Sequence, residues 1–210
     1  ICINSQIKHE ALKEGIRKEK IFSIPNGVEL IHRPALSNSK FKKSIVWVGS
    51  LVEHKNIMLA LKIIEKLPKE YKLLIYGKGP LFRKVYKYID NRGLQENVFL
   101  KGWVDKKTLL SEIQNSSIYL STSSAEGISN SLLEAISMGL IPVCLIIKAN
   151  NEVLGRDYKF LIDDYDVNKW VKKIITLRKY HPQIITYLEQ RLKQFDIRNV
   201  MKEIQNIYEA

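Results

Sequence analysis

Two glutamates and the polar residues between them form the part of the sequence best suited to chemistry. Glu126 and Glu134 stand eight positions apart in the stretch SSAEGISNSLLEAISMG. Two carboxylates can form the acid/base pair of a glycoside hydrolase, which needs them roughly 5–9 Å apart, or they can be a capping residue and a helix-surface residue. Gly127, Ser129 and Asn130 keep the start of the following helix small, polar and open, as an incoming anion requires. A hydrolase has no need of this arrangement, so the stretch favours an anionic ligand.

This stretch lies between two apolar runs, Ile118–Leu120 and Ile141–Leu145, which are typical of buried strands. Apolar residues between the runs recur at helical spacing, Ser129 or Asn130 can serve as N-cap, and Gly139 sits where a helix C-terminal glycine is expected. The segment is therefore a predicted strand–loop–helix–strand unit. Because open α/β sheets bind ligands at the carboxyl ends of their strands, we expect a site in this loop.

Lys55 is a candidate phosphate ligand. It lies six residues after Gly49, which follows another apolar run, and close to the predicted start of a helix. A cation beside free helix N–H groups suits a phosphate. A surface lysine beside a turn glycine explains the same pattern, and taken alone it is the favoured interpretation.

The segment Gly77–Pro80 is similar to a fragment of the dinucleotide-binding fingerprint. The third glycine is missing, because position 82 is Phe, and no acidic residue follows at a clear ribose position. A tight strand-to-helix turn explains the segment without any function.

Strands and helices alternate along most of the chain, which predicts an α/β fold: a Rossmann-like, doubly wound parallel sheet with helices on both faces. Ile31–Lys43 is polar and irregular and is predicted to be a connector. The predicted strands are Ile1–Ile3, Lys20–Ile24, Ile45–Gly49, Lys72–Tyr76, Val98–Leu100, Ile118–Leu120, Ile141–Leu145 and Phe160–Ile162. Helices are predicted from Ser5 to about Gly15, over Ile57–Leu67, Leu81–Arg92 and Val167–Leu177, after a cap at Asp105, within the stretch above, and as a terminal pair between Ile184 and Tyr208.

Composition limits the class of protein. The 210 residues are 45% hydrophobic, which suits one globular domain, and no apolar run reaches the ~18 residues of a membrane span. The net charge of +12 indicates either a lysine-rich solvated surface or attraction to polyanions such as nucleotide diphosphates. The lysines are scattered and no nucleic-acid motif is present, so we expect no nucleic-acid partner. The first residue is Ile1, with no signal-peptide pattern, which suggests a fragment of a longer chain.

Cysteines and histidines predict neither a disulfide framework nor a metal site. Cys2 and Cys144 lie in apolar runs and are expected to be small buried hydrophobes in a reducing compartment. The histidines show no paired spacing and no Cys partner, so neither a metal site nor a catalytic triad is expected. They are His9, His32, His54 and His181.

Five segments, in one order along about 120 residues, resemble the carboxyl-terminal half of the family 4 retaining glycosyltransferases, which have the two-lobed GT-B architecture. IPNGVEL resembles that family's IPNGVD, VGSLVEHKN its VGRLxxxKG, YGKGP its GxGP, VFLKGWV its VxFxGxV, and EGISNSLLEAISMGLIPV its EGxxxxLLEAMAxGxPV. These segments are Ile24–Leu30, Val48–Asn56, Tyr76–Pro80, Val98–Val104 and Glu126–Val143.

The resemblance implies a nucleotide-sugar donor, no metal and no further cofactor, with a UDP- or GDP-sugar as substrate. Glu126 would lie against the donor sugar and the reacting centre, and Glu134 would hold the ribose hydroxyls. Lys55 would neutralise the diphosphate leaving group. The remaining residues implied to contact the donor are Gly49, Ser50, Gly79, Gly102, Trp103, Val104, Gly127, Ile128, Ser129 and Asn130.

The chain departs from the family at three places. Ser50 stands where the family usually has an arginine beside its phosphate lysine, which predicts weaker donor binding or a greater burden on Lys55. Asn56 stands where the family has glycine. After Val143 the usual glycine-rich segment is poorly matched, and Asn150–Glu152 is its candidate replacement.

The resemblance covers only the donor-binding half of a GT-B enzyme. Residues 1–18 are expected to be the tail end of a missing acceptor lobe or a linker, residues 19–180 the nucleotide-sugar-binding domain, and residues 181–210 helices packing on that domain or toward the missing lobe. The expected partner is that lobe or a separate subunit. The expected location is the cytoplasm, with peripheral membrane contact through the basic surface.

The leading interpretation is thus the donor half of a retaining sugar transferase of the hexosyltransferase type, weak or inactive alone. A non-catalytic partner that binds a nucleotide sugar or a subunit is the second interpretation, and the loss of arginine at Ser50 favours it. A GT-B-type nucleotide-sugar epimerase or a phosphorylase shares the fold. No cofactor-lysine environment for a phosphorylase is identifiable in the sequence.

Overall fold

The computed structural model describes residues 1–30 and 41–209. Its centre is a parallel sheet of six strands, hydrogen-bonded in the order β3-β2-β1-β4-β5-β6. The strands are β1 Ser44–Val48, β2 Lys72–Tyr76, β3 Val98–Gly102, β4 Ile118–Ser121, β5 Ile141–Leu145 and β6 Leu161–Ile162. The predicted fold class is confirmed. The reversal of strand order between β1 and β4 is the point where this class of sheet opens a ligand crevice.

Helices cover both faces of the sheet. They are α1 Ser5–Lys13, α2 Ile57–Lys66, α3 Phe82–Asn91, α4 Lys106–Ile113, α5 Asn130–Ser137, α6 Lys148–Leu154, α7 Val167–Thr176, α8 His181–Leu192 and α9 Ile197–Glu209. Helix α2 packs against α3 and α7, and α8 packs against α5 and α6.

The central strands are buried because helices cover them on both sides. Every residue of β4 and β5 is buried, and Ile45 and Val46 of β1 have no exposed surface. Continuous apolar runs of this kind are typical of parallel strands inside an α/β sheet.

Helix α5 ends on a glycine, as predicted. Gly139 has a φ of 79°, in the left-handed region, and its N–H donates to the Ile136 carbonyl at 2.8 Å. The Leu140 N–H donates to the Ala135 carbonyl at 2.9 Å, which completes a Schellman motif. This motif turns the chain directly into β5.

Two predicted strands near the amino terminus are wrong. Ile1–Ile3 and Lys20–Ile24 share only one isolated parallel bridge, between Cys2 and Ser23, and Lys18–Lys20 is a 3₁₀ helix. Both segments contain apolar residues, but within residues 1–30 and 41–209 no neighbouring strand extends the bridge into a ladder. The cap of α1 is also one residue earlier than predicted, since the Asn4 side chain, not Ser5, accepts the Ile7 N–H at 2.8 Å.

Helix α6 was not predicted, because its sequence begins with the polar run KANN. It contains Asn150–Glu152, the candidate replacement for the family's glycine-rich segment. Glu152 accepts hydrogen bonds from the backbone N–H and the hydroxyl of Ser5, so this carboxylate holds the start of α1. The predicted pair of terminal helices is confirmed as α8 and α9.

Part of the predicted connector, residues 31–40 with His32, lies outside the described residues. Cys2 and Cys144 are buried, as predicted, and neither forms a disulfide. Burial raises the pKa of the Cys144 thiol well above its usual range. His181 is also buried and packs edge-on against Phe41, so its role is in the core.

Candidate functional site

Three glycines bring the carboxyl ends of β1, β2 and β3 into backbone contact. The Gly77 N–H donates to the Gly102 carbonyl at 2.7 Å, and the Gly49 N–H donates to the Tyr76 carbonyl at 3.0 Å. Gly77 has a φ of 138°, and a Cβ placed there would lie 1.9 Å from the Gly49 carbonyl oxygen. Only glycine allows this approach, and the result is a floor of backbone at the edge of the sheet.

A cleft of about 540 Å³ lies on this floor. Five of the predicted donor-contact residues line it: Gly49, Ser50, Trp103, Val104 and Glu134. The cleft therefore joins three strand-end loops to helix α5. Its lining also includes Val48, Tyr76, Gly77, Lys78, Lys106 and Leu109.

Glu134 and Lys106 face each other across the cleft. The Lys106 Nζ lies 3.3 Å from a Glu134 carboxylate oxygen, and the glutamate side chain is only 17% exposed. Lys106 is the first residue of α4, which follows the cleft-lining turn at Trp103 and Val104. Lys106 is not among the predicted site residues, although its place shortly after the predicted Trp103–Val104 contact points to the cleft.

Asp105 positions Lys106 by capping α4. Its carboxylate accepts the Thr108 N–H at 3.0 Å and the Thr108 hydroxyl at 2.6 Å. These hydrogen bonds, chiefly the one from the hydroxyl, hold the pKa of Asp105 below its usual range. The predicted cap is confirmed.

Trp103 is the large exposed side chain on the rim of the cleft, with 68% of its surface accessible. The Lys78 Nζ lies 5.9 Å from the centre of the Trp103 ring, within the range of a cation–π contact. From the sequence, Lys78 is predicted only as part of the Gly77–Pro80 turn. The structure adds its side chain to the cleft.

Lys55 and Glu126 form an ion pair beside the cleft, and both side chains are largely buried, at 21% and 14% exposure. A Cβ at Gly49 would lie 3.7 Å from the Lys55 Cδ, so the lysine stem runs past the cleft floor. Neither Lys55 nor Glu126 lines the cleft itself. The pair instead joins the loop before α2 to the loop before α5.

The loop that carries Glu126 is fixed by hydrogen bonds to the backbone around Lys55. The Thr122 hydroxyl donates to the Lys55 carbonyl at 3.0 Å and accepts from the Trp47 Nε1 at 3.2 Å. The Ser124 N–H donates to the His54 carbonyl at 2.9 Å. Asn56, which replaces the family's glycine, has a φ of 50°, a left-handed conformation that asparagine tolerates better than most residues.

The remaining predicted residues lie outside the cleft lining. Ser129 caps α5, whose first residue is Asn130, and accepts the Leu132 N–H at 3.4 Å. Ile128 is buried, and its carbonyl accepts from the Asn26 side chain at 2.8 Å. A Cβ on Gly127 would lie 3.0 Å from the Ile3 Cδ1, so the amino-terminal segment covers this loop.

Gly79 packs closely against Leu51, outside the lining of the cleft. A Cβ there would lie 2.7 Å from both the N and the O of Leu51, so glycine is needed for the close packing of two loops. Close packing therefore explains Gly79 without any function, in agreement with the interpretation of Gly77–Pro80 as a tight turn.

A second cleft of about 630 Å³ lies at the β6 edge of the sheet and contains none of the predicted site residues. It is larger than the cleft at β1–β3, but it lacks the strand-end glycines and the helix start that suit a phosphate ligand. Lysines from α7 and from the segment before β6 line it: Lys159, Lys169, Lys172 and Lys173.

In the described part of the chain, His, Cys, Asp and Glu side chains do not gather in any group of three or more that could hold a metal ion. Within residues 1–30 and 41–209, no helix combines the length and the apolar content that a bilayer span requires.

The chain belongs to the glycosyl transferases group 1 family, whose model matches residues 29–190. It is 31% identical over 187 residues to the poly(glycerol-phosphate) alpha-glucosyltransferase of Bacillus subtilis, a match covering 84% of the chain and 27% of that enzyme. It is 30% identical over 164 residues to the poly(ribitol-phosphate) alpha-N-acetylglucosaminyltransferase of Staphylococcus aureus, covering 76% of the chain and 32% of that enzyme. The chain thus spans a third or less of the length of these two relatives.

The fold is that of solved GT-B glycosyltransferases. Staphylococcus aureus TarM, in a variant bound to fondaparinux, α-GlcNAc-glycerol and UDP, superposes with a TM-score of 0.81 at 23% identity. The match covers 100% of this chain and 43% of TarM. The resemblance stated from the sequence motifs is confirmed.

Proposed function

We propose that this chain is the donor-binding half of a glycosyltransferase that moves a hexosyl group from a nucleotide-diphosphate sugar to a glycan or lipid-linked glycan, with retention of configuration. The observation that carries the proposal is the cleft at the ends of β1, β2 and β3. Residues from three loops and one helix, spread from position 48 to position 134, line a single cavity of about 540 Å³. Family membership supplies the reaction class.

Glu134 is the proposed ribose ligand. A carboxylate can accept hydrogen bonds from two neighbouring hydroxyls at once, and such charge-assisted bonds are stronger than neutral ones. Lys106 contacts one of the Glu134 carboxylate oxygens at 3.3 Å. Ribose hydroxyls would replace or share that contact, while the exposed Trp103 on the rim of the cleft offers a flat surface to the base.

Lys55 and Glu126 are the proposed residues nearest the chemistry. Departure of a nucleoside diphosphate builds negative charge, and a preorganised cation aimed at that charge lowers the barrier. Backbone N–H groups near Ile128–Asn130 would assist. The ion pair with Glu126 keeps the ammonium in place beside the cleft. The proposal puts the donor sugar next to the Glu126 carboxylate.

UDP is the first nucleotide to test, because TarM is bound to UDP. Relatives that act on poly(glycerol-phosphate) and poly(ribitol-phosphate) make phosphate-bearing polymers reasonable acceptors. We place the acceptor site on a second lobe or subunit and expect little transfer by this chain alone. The net charge of +12 supports peripheral contact with an anionic membrane from the cytoplasmic side.

Nucleotide binding tests the proposal directly. Thermal unfolding would be followed with UDP, GDP, ADP and their sugar conjugates. A ligand at ~100 times its dissociation constant adds about 2.7 kcal/mol, a shift on the order of 5–10 °C for a chain of this size. We expect one nucleotide series to shift the midpoint, and Glu134→Ala and Lys55→Ala to abolish the shift.

Two variants control for the general effect of removing a charged side chain. Glu189→Ala and Lys172→Ala remove exposed side chains on α8 and α7, outside the cleft, and should leave the shift unchanged. A flat panel for the unmodified chain, or equal effects of the site and control variants, would contradict the proposal.

Ser50 is the observation that favours a second function, binding of a nucleotide sugar without catalysis. A serine lacks the bidentate, charged contact of the family's arginine. Nucleotide binding without donor turnover in the presence of the second lobe would select this alternative. Conversion of one free nucleotide sugar into its epimer would instead indicate an epimerase.

A further inference from the structure

The positive charges around the cleft are not equivalent. Lys55 is paired with Glu126, and Lys106 is paired with Glu134. Lys78 also lines the cleft, and within residues 1–30 and 41–209 it has no carboxylate partner; its ammonium lies over the Trp103 ring. A diphosphate in the cleft would therefore meet Lys106, which is paired with a carboxylate, and Lys78, which has no such partner in the described residues. The Lys55–Glu126 pair lies beside the cleft.

Lys78 is also fixed beside Ser50. The Lys78 carbonyl accepts the Leu51 N–H at 3.1 Å, and the Leu81 N–H donates to the Leu51 carbonyl at 3.0 Å. A Cβ on Gly77, the residue before Lys78, would lie 1.9 Å from the Gly49 carbonyl oxygen. The loops after β1 and β2 thus form one unit, with Lys78 and Ser50 both on the cleft side.

We infer that Lys78 binds the diphosphate of the donor and supplies the cationic contact that the neutral Ser50 cannot. The inference rests on the proposed function, since it assigns a ligand group within the same cleft. Lys78 acts as a binding residue: its ammonium donates to phosphate oxygens, and the inference assigns it no part in the transfer of the sugar.

The contact with Trp103 is compatible with this role. An exposed cation–π contact is a weak attraction, whereas an ammonium–phosphate contact is charge-assisted and roughly twice as strong as a neutral hydrogen bond. The flexible four-carbon stem of a lysine allows the ammonium to leave the ring when a phosphate enters. The ring then remains free to contact the base.

The test compares UDP with uridine by calorimetric titration of the 210-residue chain. Should the nucleotide panel select another base, that diphosphate and its nucleoside take their place. The variants are Lys78→Ala, Lys78→Arg and Lys78→Ala combined with Ser50→Arg. Lys172→Ala is the matched control, because it removes another exposed lysine without a carboxylate partner in the described chain, at the opposite edge of the sheet.

We expect Lys78→Ala to weaken UDP binding about tenfold or more, which is ~1.4 kcal/mol, and to leave uridine binding within about twofold. Lys78→Arg and Lys172→Ala should each stay within about threefold of the unmodified chain. Adding Ser50→Arg to Lys78→Ala should recover most of the lost affinity, since the new guanidinium enters the same cleft from the neighbouring loop.

Three results would overturn the inference. The first is an equal effect of Lys78→Ala and Lys172→Ala on UDP affinity, and the second is no recovery of that affinity with Ser50→Arg. The third is a parallel loss of uridine binding in Lys78→Ala, which would place Lys78 at the base. Each leaves the proposed function standing, because the unmodified chain still binds the nucleotide. Absence of any nucleotide binding by the unmodified chain would instead remove the proposed function and this inference with it.

Discussion

At the scale of single residues, the site depends on its glycines, which have no side chain, as much as on the residues that bind. Gly49, Gly77 and Gly102 let three loops meet through their backbones, so the cleft floor presents peptide groups. Peptide N–H groups and carbonyls can be held in place by the sheet at no cost in side-chain entropy. The charged residues then need only stand at the rim.

Gly77→Ala tests this role of glycine. The new methyl group would lie 1.9 Å from the Gly49 carbonyl oxygen, at a φ of 138° that side chains rarely adopt. We expect a loss of unfolding free energy of at least ~3 kcal/mol, from backbone strain and forced movement of the β1 loop. Urea denaturation measures it.

Gly93→Ala is the matched control, because Gly93 also has a positive φ, 62°, but no atom within 4 Å of the added methyl group. That variant should lose only about 1–2 kcal/mol, the cost of the left-handed backbone. Equal losses in the two variants would show that the loops do not pack as closely as described.

A residue of the site could be predicted from the sequence only where its type and its neighbours indicate a function. Glu126 and Glu134 stand out because of the small polar residues between them, and the motif supplies their proposed roles. Their partners could not be predicted, because Lys55 and Lys106 come from distant parts of the chain. In a chain with 34 lysines and arginines, the residue type alone does not separate a paired lysine from a solvated one.

At the scale of elements, helix α4 links the fold to the cleft. The strand β3 ends at Gly102, the turn places Trp103 and Val104 on the cleft, and the Asp105 cap starts the helix at Lys106. A capping carboxylate therefore fixes the direction of the lysine that faces Glu134. Because the hydrogen bonds to the Asp105 carboxylate lower its pKa, the stabilising effect of this cap depends on pH.

Asp105→Asn tests the cap through pH. The pKa of Asp105 is lowered in the folded protein, chiefly by the Thr108 hydroxyl, so the ionised cap stabilises the fold above the ordinary pKa of about 4. That contribution is lost as the pH falls through the lowered pKa. Asparagine still caps but does not titrate, so the variant should lose less stability than the unmodified chain between neutral pH and about pH 3.

Urea denaturation at a series of pH values measures this difference. The other carboxylates with lowered pKa values, such as Glu112 and Asp164, titrate in both proteins and cancel in the comparison. A difference in unfolding free energy that is constant over the whole range would show that the Asp105 pKa is not shifted by folding.

The elements that sequence analysis predicted well are those in which periodicity and burial agree. The strands Lys72–Tyr76 and Ile141–Leu145 were predicted to the residue, because parallel strands covered on both faces are continuous apolar runs. Lys20–Ile24 has strand-like residues but only a single bridge to Cys2, and pairing partners are not visible in local sequence. Helix α6 has a polar start, so its apolar spacing was missed.

At the scale of the whole molecule, the amino-terminal helix α1 lies at the surface of the fold. No residue of α1 is buried, and Ile7, Leu12, Ile16 and Phe22 in and after it are exposed apolar side chains. The start of α1 is held instead by Asn4 and by Glu152 of α6. The exposed apolar side chains offer a surface against which the proposed acceptor lobe would pack.

Sugar transfer by the chain alone is therefore expected to be weak, although nucleotide binding is expected to be intact. Holding an acceptor against the donor is worth an effective concentration on the order of 10⁵–10⁸ M, and the proposal assigns that task to a second lobe. Release of UDP from UDP-glucose and UDP-GlcNAc would be measured with poly(glycerol phosphate) and poly(ribitol phosphate) as acceptors. The Glu134→Ala variant, which should not bind donor, gives the background rate.

We expect the chain to release UDP at a rate close to that background, with or without acceptor, while titration shows UDP binding. Acceptor-dependent release well above the Glu134→Ala rate would contradict the assignment of the acceptor site to another lobe. Such a result would move the acceptor onto the described surface. The basic cleft beside β6 would be the first place to seek it, because Lys159, Lys172 and Lys173 line it and have no carboxylate partner within the described residues.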